Sequence, residues 1–141
     1  MEICEEIKIE RPIEVVYQAF ANIKGWAKVL TDVLDVDIVY KDPLHEEFLM
    51  TVERNGNPET VRSIRFTKSN ESIEIFQPEP PPKFEQMSGK WLFESSASGS
   101  TKVIAIRNFV LKESEDQTII ELLRGFLSRN LQSFKTYLEL G

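Results

Sequence analysis

The chain ends in a segment that dictates what must come before it. From Gln117 to Leu140, the residues Leu123, Phe126, Leu127, Leu131, Phe134 and Leu138 recur at three- and four-residue intervals. That spacing is one continuous apolar stripe on a long amphipathic helix. The stripe needs an apolar face to cover, and the segments ahead of it read as strands. A sheet with one long helix across it is therefore the expected solution.

The strand signals are alternations of apolar and polar residues. Ile3, Ile7 and Ile9 alternate with charged residues across Glu2 to Glu10. Pro12 then stands where a helix can begin, because its missing N–H costs nothing in a first turn. Ile13, Val16, Tyr17 and Phe20 follow at helical spacing to about Ala21, and Gly25 breaks the chain. Trp26 to Leu30 reads as a second short helix. Beyond it, Val33 to Asp42 alternates, and so do Phe48, Met50 and Val52. Asn55-Gly-Asn-Pro58 is a strong hairpin turn. Glu59 to Thr67 forms the next strand, and Ile73, Ile75 and Gln77 mark another. A run of prolines, Pro78 and Pro80 to Pro82, cannot pair centrally in a sheet and reads as a connector. Lys83 to Ser95 and Thr101 to Lys112 complete the set. Hairpin turns join the strands, so the sheet is expected to be antiparallel.

Two arginines stand on strand faces expected to point inward. Arg65 shares its side of the pleat with Val61 and Ser63, and Arg107 shares its side with Val103, Ala105, Phe109 and Leu111. Successive side chains point to opposite faces of a strand. Burying an unpaired guanidinium costs several kcal/mol, so each arginine must be paired or must face a wet pocket. For Arg65 the reversed parity, with Ile64 and Phe66 inside, stays open. For Arg107 a buried acid such as Glu85 or Asp35 would make it structural.

Bulk properties narrow the function classes. The 141 residues suit one domain spanning 1–141. A net charge of -6 with no Lys/Arg-rich run argues against nonspecific nucleic-acid binding. The one cysteine, Cys4, excludes an internal disulfide and suits a reducing cytoplasm. No apolar run reaches the length of a membrane span, and the N-terminal residues do not read as a signal peptide. One histidine, His45, excludes a multi-histidine metal site, and one Cys beside one His argues against zinc.

Three stretches resemble the START-like helix-grip superfamily, and within it the bacterial polyketide aromatase/cyclases. They are Ile9-Glu-Arg-Pro-Ile-Glu-Val-Val-Tyr17 with Ile23-Lys-Gly-Trp26; Met87-Ser-Gly-Lys-Trp-Leu-Phe-Glu94 with Gly99-Ser-Thr-Lys-Val103 and Arg107-Asn-Phe109; and the terminal helix. The resemblance implies an α+β helix-grip fold. A curved antiparallel sheet of about seven strands would wrap a long C-terminal helix, with two short helices after the first strand and an internal cavity. It implies cyclisation and dehydration of a poly-β-ketone carried by an acyl carrier protein, without metal or organic cofactor. Arg65, Ser63 and Arg107 are then the expected catalytic residues, with Arg65 at the family's anchoring arginine. Trp26, Trp91, Phe93, Val33, Asn130 and Phe126 would line the substrate. Val33 stands where some members carry a tyrosine, and Arg107 where glutamine is common. A second reading keeps the cavity but not the catalysis, as a carrier for a lipid, quinone or other hydrophobic small molecule. Monomer and homodimer both remain open.

Overall fold

The computed structural model describes residues 1–54, 56–113 and 116–140. Strand β1 (Glu2–Ile9) opens the chain, followed by helix α1 (Ile13–Ala21), a 3-10 turn (Ile23–Gly25) and the one-turn helix α2 (Trp26–Val29). Six strands follow: β2 (Val33–Lys41), β3 (His45–Arg54), β4 (Asn57–Lys68), β5 (Ser72–Phe76), β6 (Phe84–Ser95) and β7 (Thr101–Leu111). Helix α3 (Gln117–Leu140) closes the chain. The seven strands form one antiparallel sheet in the order β1-β7-β6-β5-β4-β3-β2. The meander from β2 to β7 thus receives β1 on its far side. The segment from α1 to α2 connects the sheet's two edges, β1 and β2, and fills the space between them.

Helix α3 lies across the inner face. Its buried residues are Ile120, Leu127, Leu131, Phe134 and Leu138, which follow the stripe read from the sequence. Its C-terminal half is fastened to the start of the chain by polar contacts. Arg11 donates to the Leu138 carbonyl at 2.7 Å, Lys135 to the Lys8 carbonyl at 2.7 Å, and the Glu10 N–H to Glu139 at 2.8 Å. Among the described residues, no helix is long and apolar enough to cross a membrane.

Packing divides the interior into two apolar clusters. The larger joins Val16, Phe20, Trp26, Trp91, Phe93, Leu131 and Phe134 with residues of β1, β2 and β7. The smaller joins Ile3, Phe84, Met87, Phe109, Ile120 and Leu127. Phe20 stacks on Phe134 at 3.9 Å between centroids, and Trp26 meets Trp91 edge-on at 5.7 Å. These rings pack the interior between α1, α2, β6 and α3. Two hollows of about 380 and 300 Å³ lie beside α1, α2 and the end of α3 and share Val29 and Tyr137.

Three local details differ from expectation. The hairpin between β3 and β4 has Arg54 opposite Asn57, so β4 begins two residues earlier than read, and Asn55 itself lies outside the described residues. Strand β2 does not alternate throughout. A register shift between Val33 and Asp35 turns both Val33 and Val36 inward and leaves Asp35 and Asp37 exposed. A bulge inserts one residue and so resets the parity. His45, placed by sequence in an exposed turn, is half-buried at the start of β3 and contacts Asp42 at 3.1 Å.

Candidate functional site

Both arginines face inward, and they stand in one lateral row of the sheet. Reading across the register, the row runs Ile3, Arg107, Gly89, Ile75, Arg65, Glu46. The two guanidinium groups nevertheless have opposite surroundings.

Arg65 is fully buried and fully engaged. Its Nε donates to Glu46 Oε1 at 2.9 Å and its Nη2 to the same oxygen at 2.6 Å. Nη1 donates to the Phe20 carbonyl at 2.8 Å, and Nη2 to the Ala21 carbonyl at 2.7 Å. Those carbonyls belong to the last turn of α1, which has no intrahelical donor for them and carries no basic residue of its own. The Trp26 indole N–H adds a second bond to the Phe20 carbonyl at 3.0 Å. Trp26 and Phe48 lie with their ring centroids 5.6 Å from the guanidinium carbon. Burial pulls the Arg65 guanidinium below its ordinary value, and the Glu46 carboxylate opposes that pull. Arg65 thus ties the β3–β4 hairpin to the end of α1. This arrangement is the paired alternative, with an acid that sequence reasoning did not name, and it leaves Arg65 little capacity for a ligand.

Arg107 has no such partner. Among the described residues no acid pairs with it, and both Glu85 and Asp35 are exposed. Among the described residues its guanidinium makes one hydrogen bond, a donation at 3.2 Å to the carbonyl of the preceding residue, Ile106. The guanidinium carbon lies 4.8 Å from the centre of the Trp91 ring, a cation–π distance. Burial lowers its pKa from 12.5 to about 10, which leaves it cationic at neutral pH.

Gly89 makes room for that side chain. A Cβ built there would sit 2.6 Å from Arg107 Nη1, 2.9 Å from its Cδ and 2.3 Å from the Ile106 carbonyl oxygen. Arg107 therefore leans from β7 across β6 in the lane that glycine leaves open. Beyond the lane, β5 presents Ile75 opposite Gly89. Two residues further, Gln77 donates its backbone N–H to the Met87 carbonyl at 3.1 Å. Its side-chain Oε1 is buried and has no hydrogen-bond partner among the described residues. Buried polar atoms are almost always satisfied, so this one marks a place where something polar belongs.

The other expected site residues are distributed around this lane. Trp91, Phe93 and Trp26 are buried. Trp91 forms the floor under Arg107, whereas Phe93 packs edge-on against Tyr17 and Phe20, both at 5.4 Å. Ser63 is buried, two residues along from Arg65 on the same strand face and opposite Phe48. Val33 is buried at the β2 bulge, away from the row of arginines. Asn130 and Phe126 are half-buried on α3, flanking buried Leu127 and Leu131 in sequence. The arrangement brings together one inward cation, Arg107, and an aromatic floor, Trp91; Gln77 lies one inward row away, beside Met87. His45, on the opposite face of the sheet, takes no part in it.

Comparison with known proteins agrees with this architecture. The family model for polyketide cyclase / dehydrase and lipid transport matches residues 2–139. The granaticin polyketide synthase bifunctional cyclase/dehydratase of Streptomyces violaceoruber is 26% identical over 125 residues, 88% of this chain. The chain spans only 38% of that relative's length. The Zhui aromatase/cyclase from a Streptomyces species superposes with a TM-score of 0.85 at 19% identity, over 99% of this chain and 93% of that one. The di-domain aromatase/cyclase BexL gives 0.87 at 22% identity, over 99% of this chain and 47% of that one. A START superfamily protein from Mycobacterium smegmatis gives 0.82 at 11% identity, covering 99% and 97% of the two chains. At these identities the solved structures speak for the fold, a helix grip with seven antiparallel strands. The match over nearly every residue, on a sheet that grips its C-terminal helix, shows that the chain belongs to the polyketide cyclase / dehydrase and lipid transport family.

Proposed function

We propose that this protein binds a hydrophobic, oxygen-bearing chain against the inner face of its sheet and promotes its cyclisation, as a polyketide aromatase/cyclase. The observation that carries the reading is Arg107: an inward cation on an aromatic floor, with no acid paired to it among the described residues. A guanidinium in low-dielectric surroundings favours oxygens that gain negative charge. In a poly-β-ketone the methylene between two carbonyls is acidic, and its proton can leave to water. Arg107 then holds the enolate oxygen. The enolate carbon attacks a carbonyl further along, a C–C bond forms as the carbonyl π bond breaks, and the alkoxide takes a proton. Loss of that hydroxyl with a neighbouring hydrogen, as water, gives the ring its unsaturation. Holding the two carbons together supplies most of the rate, and Trp91 provides a flat surface for it. In this reading Ser63 and Asn130 orient carbonyls. Arg65 serves the fold, by holding α1 to the hairpin.

A second reading, noncatalytic carriage of a hydrophobic small molecule, is favoured by one observation. The single histidine of the chain lies on the other face of the sheet from Arg107, which leaves the site without an imidazole as proton carrier. The test is reconstitution of a minimal polyketide synthase and its acyl carrier protein with this protein, without it, and with Arg107→Ala. The expected result is a mass-spectrometric product shift to a cyclised aromatic that disappears with Arg107→Ala. An unchanged product profile refutes the cyclase reading and leaves the carrier.

A further inference from the structure

The charge that the sheet leaves unmet selects the ligand. We infer that the inner face takes a hydrophobic molecule with an anionic head, a carboxylate, for which Arg107 is the counter-ion. The inference rests on the reading under Proposed function that this face holds a ligand, and goes beyond it by naming that ligand's charge.

Three observations carry it. The first is the supply of donors. A guanidinium offers several N–H groups and no acceptor, and among the described residues that of Arg107 spends one bond, on the Ile106 carbonyl. The second is the state of the inward acids. Glu46 stands in the same lateral row but is held by Arg65 at 2.6 Å. Glu5 lies two residues along from Ile3, on the same side of β1, and contacts Arg124 of α3 at 3.9 Å. The cross-strand neighbours of Arg107, Ile3 and Gly89, bring no side-chain acceptor. The third is access. Arg107 is half-buried rather than sealed, and so is Ile75, the next side chain along the row beyond Gly89. Further along the inner face, Met50 and Ile38 are likewise only partly covered. A cation with free donors is thus reached by solvent on a face that is otherwise apolar.

These conditions discriminate by charge. A neutral carbonyl accepts hydrogen bonds from the guanidinium but leaves its charge in place. A carboxylate takes two parallel N–H···O bonds and neutralises it. Charge-assisted hydrogen bonds are also the stronger kind. Burial already lowers the Arg107 pKa to about 10, and an anion against the guanidinium offsets that cost. A cationic ligand is repelled by the same charge. The body of the ligand is apolar, because the side chains around the guanidinium are Ile3, Ile75 and the Trp91 ring. Two sources supply such an acid: a ring-closed chain freed by water from its carrier thioester, which leaves a carboxylate and a thiol, and a linear fatty acid.

Equilibrium dialysis at neutral pH with two matched pairs tests this: 2-naphthoate against methyl 2-naphthoate, and decanoate against methyl decanoate. Within each pair the apolar body is the same and only the acid carries charge. The wild-type protein is expected to bind the acid of at least one pair on the order of tenfold more tightly than its ester. A preference in the naphthoate pair assigns the ring-closed acid and one in the decanoate pair the linear acid; both uphold Arg107 as counter-ion. Arg107→Met should bring the ratio close to one while the ester stays bound. Arg107→Lys, which keeps the charge as a point cation, should retain a preference for the acid. Equal affinities for acid and ester in the wild type, with the ester bound, overturn the anionic ligand and leave the ligand-binding face standing. An acid preference that survives Arg107→Met overturns the inference as well, because another cation then supplies it. Failure of all four probes to bind removes the ligand-binding face together with the inference.

Discussion

Glu46 and Arg65 are the sharpest place to test the division of labour between the two arginines. If the pair is structural, breaking it must unfold the protein rather than merely silence it. Arg65 has zero exposure and Glu46 4%, so either partner left alone is an uncompensated buried charge. Removing one member of a buried pair costs about 3–5 kcal/mol. Arg65→Met also takes the guanidinium donors from the Phe20 and Ala21 carbonyls and leaves Phe20 only the Trp26 indole N–H. For a chain of this length that corresponds to a melting temperature lowered by roughly 10–15 °C. The double variant Glu46→Leu with Arg65→Met removes both charges and fills the space with apolar atoms. It is expected to cost less than the two single changes together, with a coupling of at least about 2 kcal/mol. Urea denaturation followed by tryptophan fluorescence measures all four corners, because Trp26 lies beside Arg65. Single variants that each lose less than about 1 kcal/mol, or a double variant whose cost equals the sum, would refute the structural reading. An Arg65→Met protein that keeps its stability but loses product redirection would return the catalytic role to Arg65.

Further outcomes follow from packing and electrostatics. Gly89→Ala should lose about 1–3 kcal/mol by forcing the β6–β7 backbones and Arg107 apart, and Arg107→Ala in the same chain should restore only part, since the Ile106 carbonyl still collides; thermal melts of the three variants decide. Phe134→Ala, which removes the ring stacked on Phe20, should cost about 3–5 kcal/mol in urea titration. Asp42 accepts from the backbone N–H of His45 and of Leu44 and from the Tyr40 hydroxyl, in that order of effect, and its pKa falls from 3.8 to about 2. A depressed carboxylate stabilises above its unfolded value and loses that contribution as pH falls through the folded one. The gap in urea midpoint between wild type and Asp42→Ala should therefore hold above pH 4 and narrow between pH 4 and pH 2.

Much of the fold was legible because two periods coexist in the sequence. The stripe from Leu123 to Leu138 and the alternating segments before it dictate a sheet gripping one helix, and both arginines face inward as their neighbours indicated. The partner of Arg65 was legible too, but only through register. With Arg54 opposite Asn57, eight further steps along each arm bring Glu46 opposite Arg65. Alternation within one strand carries no such information, because it describes each strand alone. The β2 bulge was hidden for a related reason: an inserted residue leaves no mark in Val33-Leu-Asp-Val-Asp-Ile38 until the partner strand is known. Gly89 was not singled out because its backbone is ordinary extended strand and its purpose is steric. Only the direction in which Arg107 leans gives it meaning.

The row Ile3, Arg107, Gly89, Ile75, Arg65, Glu46 explains why two similar residues have different fates. At one end a glutamate faces its arginine directly, and the helix terminus supplies two more acceptors, so every strong demand of that cation is met by the protein. At the other end the lateral neighbours are an isoleucine and a glycine, which offer no side-chain acceptor. The sheet thus neutralises one buried charge and leaves the second to whatever lies against its inner face. A protein that needed Arg107 only for stability would gain from an acid at position 3 or 89, where the register would bring it alongside. Gly89 does the reverse. It removes even a methyl group, at a cost in strand stability, and so lets the guanidinium reach the middle of the sheet over Trp91. Such an expense in stability without a structural return is the pattern expected of a ligand site, and on the proposed reading that site lies on β7 rather than β4.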